Sequence, residues 1–263
     1  MVIRAIPAIL SVLIAGCAGG GAGPAPGSAS APVSEQVAAG VAEKSAKTHT
    51  ELAGLYLQAG NLAIAREEAL LATLIDQGYA PGFDLLGLVH MALNDMAAAR
   101  TAFERAVQLA PGDPQIANDY GWFLCQNGRE QEAFKFFEAA ARNPLYKTPT
   151  KPYTNAGLCY LRIKDDKAAE ENFRRAAMID GTNVQAIYHL SSLAYKQGDL
   201  AGARKYLGEV HRMMDPNAES LWLAVRIERK LGDRQAEASY ASQLRRRFAG
   251  TPQHQALMQG SYE

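Results

Sequence analysis

A period of about 34 residues constrains this chain more than any other feature. Helix-ending residues recur at Gly60, Asn94, Gly128, Lys164, Gly198 and Gly232, with spacings of 34, 34, 36, 34 and 34. Glycine, and less readily asparagine, accepts the left-handed backbone that closes a helix. The residues that follow are Asn61, Asp95, Arg129, Asp165, Asp199 and Asp233. All but Arg129 carry a short polar side chain that can accept a hydrogen bond from an orphan N–H of a second helix. Each unit is therefore predicted as helix, tight turn, helix.

Three further columns fit this register. Small residues recur on the first helix at Ala53, Gly87, Gly121, Gly157 and Ser191. On the second helix Ala65, Ala99, Ala133, Ala169 and Ala203 recur, followed one turn later by Ala69, Phe103, Phe137, Phe173 and Leu207. A small residue lets two helices approach, and a bulky partner fills the adjoining groove. The pattern resembles the tetratricopeptide repeat, a helical hairpin that stacks into a right-handed solenoid. The resemblance implies an all-α fold of about six repeats over 46–79, 80–113, 114–149, 150–183, 184–217 and 218–251, within a domain spanning 33–263. The sixth copy departs at Val225, Glu228, Glu237 and Ala241, as terminal repeats often do. Thr251-Pro252 can start a short capping helix through about Gln259.

Two extra residues fall between the third and fourth repeats, within the segment 143–152. Its Pro144, Pro149 and Pro152 predict a rigid extended loop, with Leu145 and Tyr146 either packed beneath it, the favoured reading, or exposed. In this fold the first helices line a concave groove. The helical period assigns Asp84, Leu88, Met91, Asn118, Trp122, Cys125, Thr154, Leu158, Leu161, Tyr188, Ser192, Tyr195, Trp222, Arg226 and Arg229 to it. Asn118, Trp122, Tyr188, Tyr195, Trp222 and Arg226 are the candidates for gripping a partner segment. Trp122 and Trp222 can alternatively serve as packing between repeats.

The leader is a second strong signal. Leu13-Ile14-Ala15-Gly16-Cys17 resembles the lipobox of bacterial lipoproteins, in which the signal is cut before the cysteine. Arg4 supplies a positive start, and the apolar run after it is shorter than the ~20 residues a spanning helix needs. Residues 1–16 are thus expected to be removed and Cys17 to carry lipid. One acyl chain anchors only marginally, at about 0.8 kcal/mol per methylene. The resemblance implies diacylglycerol plus an amide-linked chain. Ala18, in place of an aspartate, favours the outer membrane. Residues 18–32 contain only Gly, Ala, Pro and Ser and read, with Cys17, as a flexible leash.

Composition excludes several functions. With 27 basic and 27 acidic residues, no basic face for nucleic acid is expected. The run Arg245-Arg246-Arg247 fits a solvated helix end. The five histidines show no metal-ligand spacing, and no strand precedes a phosphate-binding loop. Cys125 and Cys159 lie at near-equivalent points of adjacent repeats. They form either a disulfide, favoured in an oxidising compartment, or two buried thiols. A Cys159–His189 dyad has nothing in the sequence to orient it. No enzyme activity, metal, cofactor or small-molecule substrate is expected, the covalent lipid on Cys17 aside.

Several segments add a finer resemblance. Asn118-Asp119-Tyr120-Gly121-Trp122-Phe123-Leu124, Pro144-Leu145-Tyr146, Asn155-Ala156-Gly157-Leu158 and Ser220 to Ile227 are similar to those of the type IV pilus biogenesis and stability lipoproteins, the PilW/PilF family. The resemblance implies a periplasm-facing outer-membrane lipoprotein. Its expected partners are secretin subunits or other pilus components, with a pilotin role, pilus stabilisation or both. A lipoprotein adaptor of another envelope machine is the alternative. A hydrolase or thiol oxidoreductase using Cys125 or Cys159 is the remaining rival.

Overall fold

The computed structural model describes residues 30–262. The signal segment, Cys17 and the linker up to residue 29 lie outside the described residues. Among those described there are thirteen α-helices, one short 3-10 turn at Val33–Glu35 and no strand. The helices are α1 (Val41–Gln58), α2 (Leu62–Ile75), α3 (Ala80–Ala92), α4 (Met96–Leu109), α5 (Pro114–Gln126), α6 (Glu130–Arg142) and α7 (Thr150–Arg162). After them come α8 (Asp166–Ile179), α9 (Val184–Gln197), α10 (Leu200–Met213), α11 (Ala218–Leu231), α12 (Arg234–Arg247) and α13 (Pro252–Gln259). No described helix is long and apolar enough to cross a membrane.

Six hairpins form as the period requires. Gly60, Gly128, Gly198 and Gly232 take positive φ at the turns, as do Asn94 at 60° and Lys164 at 62°. Asp95, Asp165, Asp199 and Asp233 each accept a backbone N–H three residues on. Asn61 occupies the equivalent position but makes no such bond. The first helix of the array starts at Val41, earlier than the predicted repeat boundary, and runs 18 residues.

Packing within each hairpin follows the small and large columns. A Cβ placed on Gly87 would lie 2.9 Å from Phe103, one on Gly121 2.9 Å from Phe137, and one on Gly157 2.6 Å from Phe173. All three phenylalanines are buried. Only hydrogen at those glycines admits the rings, so Gly→Ala there would force the ring or helix to shift. In the fifth hairpin Ser191 Oγ donates to the Ala203 carbonyl at 2.8 Å. In the sixth the sizes are reversed, with Val225 and Ala241 both buried in one cluster. The bulk moves from the second helix to the first, a swap between facing positions that cores tolerate. Glu228 and Glu237 are matched by cations: Arg204 Nε reaches Glu228 Oε1 at 2.9 Å, and Arg229 pairs with Glu237 at 2.9 Å.

The loop before α7 differs from its prediction in two ways. Tyr146 is buried and donates its hydroxyl to Gln115 Oε1 at 3.0 Å, but Leu145 is 50% exposed. Tyr146 already fills the space over Ala117 and Ala140, leaving no room beneath the loop for Leu145. The helix also begins at Thr150, so Pro152 lies in its first turn. There the N–H has no partner within the helix, and proline costs no hydrogen bond.

Candidate functional site

First helices touch their neighbours directly along α1, α3, α5 and α7, and α9 meets α11. Successive second helices make no comparable contact, which places the first helices on the inner, tighter side of the curve. The inner face is therefore built from columns spaced by one repeat.

The predicted groove residues divide into two layers. One column, Asp84, Asn118, Thr154 and Trp222, is buried at the helix seams; its fifth member, Tyr188, is half-buried. Asn118 is 1% exposed, and its Oδ1 accepts from Asn155 Nδ2 at 3.0 Å. Thr154 Oγ1 likewise accepts from Asn183 Nδ2 at 3.0 Å. Asn118 is thus corrected from a groove residue to a strut between repeats: its amide is used internally because a buried polar group needs a partner. Trp222, 9% exposed, is also corrected to packing, with its ring stacked on Tyr262 at 5.4 Å. The column one turn on, Leu88, Trp122, Leu158, Ser192 and Arg226, is half-buried, as are Met91, Leu161 and Tyr195. These line the accessible face. Trp122 also packs against the core cluster of Phe123 and Phe137.

The carboxy-terminal end of this face is cationic and aromatic. The Arg226 guanidinium lies 4.9 Å from the Tyr195 ring centre and 5.8 Å from that of Trp222. Lys230 Nζ lies over Tyr195 at 4.3 Å, and Arg229 over Tyr262 at 3.8 Å. Such stacking holds long cations flat; Arg229 is already paired with Glu237, and Arg226 and Lys230 keep their charge available to a carboxylate. Tyr188 completes the patch; its hydroxyl pKa is raised by burial, with Glu219 adding to the effect. Lys230 and Tyr262 were missed by the sequence reading. Lys230 stands four residues beyond Arg226 on the same helical stripe, a signal available from spacing alone. Tyr262 lies beyond α13, where no periodicity points.

The amino-terminal end is acidic. Asp84, Asp113 and Asp119 line a cavity of about 190 Å³ with Thr50, Gln115 and Ser34. Asp119 accepts from Gln115 Nε2 at 2.5 Å and Asn118 Nδ2 at 2.8 Å. Burial raises the Asp84 carboxyl well above the usual carboxylate range, and Asp119 and Asp113 push it further. Asp119 is also raised by burial, against the hydrogen bonds from Gln115 and Asn118 that lower it. One proton held between Asp84 and Asp119 satisfies both trends.

Between these ends Cys125 on α5 and Cys159 on α7 are joined by a disulfide, with Cα atoms 5.9 Å apart. Neither sulfur is free for nucleophilic chemistry. His189, the other member of the dyad weighed from sequence, stacks on Phe173 at 4.9 Å, and burial lowers its pKa to about 4. Among the described residues no group of three or more His, Cys, Asp or Glu could hold a metal ion.

Known proteins give the same reading of the fold. Models described as tetratricopeptide repeat match residues 85–146 and 150–183, the second coinciding with the predicted fourth unit. The chain is 28% identical to the type IV pilus assembly protein PilF of Pseudomonas aeruginosa over 200 residues, covering 76% of this chain and 79% of that one. A solved structure of P. aeruginosa PilF superposes with a TM-score of 0.74 at 26% identity, covering 83% of this chain and 99% of that one. The crystal structure of PilW, a type IV pilus biogenesis factor, gives 0.74 at 25% identity, covering 81% and 98%.

Proposed function

We propose that this chain, a PilF/PilW-like tetratricopeptide-repeat protein homologous to P. aeruginosa PilF, is a lipid-anchored adaptor of type IV pilus biogenesis. The carrying observation is coverage: the likeness runs through 99% and 98% of the two solved relatives, so the whole array corresponds and not one generic hairpin. In this reading lipid on Cys17 holds the protein at the periplasmic side of the outer membrane. The repeat array grips a secretin subunit or another pilus component. The leash lets the array search near the bilayer, and tethering raises the effective concentration of partner and membrane for one another. Tyr188, Tyr195, Arg226 and Lys230 offer the grip, suited to a segment with a carboxylate beside apolar side chains. In this reading the chain works as a scaffold through that protein-interaction face.

The test is a deletion strain complemented with wild type, Cys17→Ser or Arg226→Glu. Loss of surface pili and of heat-resistant secretin multimers in the deletion is expected. The Cys17→Ser protein should retain its partner in pull-downs but leave it away from the outer membrane. Normal pili and normal multimers in the deletion strain would reject the pilus reading.

A further inference from the structure

The acidic cavity is roofed by the chain's own amino-terminal segment. Pro32 is buried, and Val33 packs toward Ala46, Ala72 and Tyr79. The Val33 N–H donates to Asp113 Oδ2 at 2.6 Å, while Asp113 Oδ1 caps α5 through Gln115 and Ile116. Asn143 Nδ2 donates to the Ser30 carbonyl at 2.9 Å, and Lys47 Nζ to the Gln36 carbonyl at 3.2 Å. Lys147 pairs with Glu35 at 2.7 Å. A short stretch of polypeptide thus sits on repeats one to three as a bound peptide would, through its main chain and a few side chains. Most of these contacts are exposed, and exposed ion pairs hold weakly, about 0–1 kcal/mol each.

Beneath this strap one acceptor atom is left without a donor. Asp84 is 6% exposed, lines the cavity, and its Oδ1 has no hydrogen-bond partner. Val33 spends its one N–H on Asp113, and Ser34 is the strap residue that reaches the cavity lining. A buried acceptor without a donor is costly, and the Asp84–Asp119 pair is held together only by the proton it shares, with Lys151 as the cation that acts on Asp119.

We propose that this cavity is a binding pocket for a lysine or arginine side chain of a partner polypeptide, covered in the free protein by residues 30–36. The incoming segment displaces the strap and takes over its main-chain contacts at Asp113, while its cation enters between Asp84 and Asp119. The pocket lies at the opposite end of the inner face from the Tyr195–Arg226 patch. An extended partner with a basic residue at one end and an acidic one at the other would therefore bind in one direction only. The pocket rests on the protein-binding reading above, but its test needs no pilus component, so the two can fail separately.

The test uses the purified chain and capped alanine heptapeptides with either lysine or norleucine at the centre. Val33→Pro removes the strap's N–H. The backbone accepts it, because Pro32 at ψ 139° suits a following proline and Val33 opens a 3-10 turn; the trimmed packing against Ala46, Ala72 and Tyr79 loosens the strap further. The lysine peptide should bind this variant at least about tenfold more tightly than wild type, and at least about tenfold more tightly than the norleucine peptide, as a charge-assisted hydrogen bond predicts. Adding Asp84→Asn should abolish the preference for lysine while circular dichroism and Tm show a folded array. Equal affinity for the two peptides, or a lysine preference that survives Asp84→Asn, would overturn the pocket. Unchanged lysine affinity in Val33→Pro would overturn the strap as its cover.

Discussion

At its amino-terminal end the inner face places Asp84, Asp113 and Asp119 beneath a segment of the same chain; at its carboxy-terminal end it places Arg226, Arg229 and Lys230 over Tyr195 and Tyr262. Both ends solve the problem that a repeat array has two exposed edges. The first does it with an irregular strap held by hydrogen bonds, the second with α13, whose Leu257 is buried against α11 and α12 residues. A strap held by a few polar contacts and the half-buried Val33 can be exchanged for another peptide. A helix seated on a hydrophobic cluster cannot be exchanged without losing that core. The acidic end is thus the replaceable surface and the cationic end the permanent one.

The largest expected effect falls at the junction of the two ends. Cys125–Cys159 closes a sequence separation of 34 residues, for which the chain-entropy model gives about 4 kcal/mol. Replacing both cysteines with alanine should lower stability by that order in a denaturant titration. A loss under about 1 kcal/mol would show that repeats three and four keep their register unaided, and that the ends are coupled by packing alone. Next in size is Arg204→Ala, at the permanent end. It strands Glu228, which is 4% exposed, without its cation. We expect a loss of about 3 kcal/mol. Glu228→Gln should cost less, about 1 kcal/mol, because the charge left behind is the half-exposed guanidinium. Equal losses would mean that shape and not charge holds α10 to α11.

The two ends should also respond to pH with opposite sign. His189 is buried neutral with a pKa lowered to about 4 from 6.5. Its contribution is complete above 6.5 and is lost as pH falls toward 4, to a total of about 3 kcal/mol at most. His189→Phe should flatten that acid slope. Asp84 has a raised pKa through burial and its acidic neighbours. Its contribution is complete below about 4 and is lost as pH rises through the folded value. Asp84→Asn should therefore gain on wild type as pH rises from 4 to 7, measured by denaturant midpoints at each pH. A parallel response of the two variants would remove the distinction between the ends.

What was legible in the sequence follows the same division. Turns, caps and small–large columns are local consequences of one- and four-residue spacing, and they follow the 34-residue register except at the Asn61 cap and the reversed sixth column. Which of two neighbouring inner columns is open could not be read that way. Asn118 and Trp122 are a single turn apart, and only the approach of α7, which brings Asn155 to Asn118, decides which is covered. The strap was invisible for a different reason. Residues 30–32 share the Gly, Ala, Pro and Ser composition of the leash, and the segment is held by Asn143 at Ser30 and by Asp113 at Val33, both far away in sequence. Composition reports the lack of an intrinsic core, not the presence of a surface that supplies one.

The smallest effect tests the turn beside the junction. Five of the six hairpin turns put glycine or asparagine at positive φ, but the fourth puts Lys164 there at 62°. An L-residue with a Cβ pays about 1–2 kcal/mol for that region, and lysine has no short side chain to offset it by bonding its own backbone. Lys164 is exposed, so truncation removes no burial. Glycine loses about 0.5–1 kcal/mol more chain entropy on folding, which returns part of the gain. Lys164→Gly should therefore raise stability by about 0.5–1 kcal/mol, while Asn94→Gly at φ 60° should change it less. If the gain appears as a higher Tm with the peptide affinities of the acidic pocket unchanged, the strain in the fourth turn is local. If the gain comes with weaker lysine-peptide binding in the Val33→Pro background, the turn is instead one of the springs that sets the spacing of the inner face.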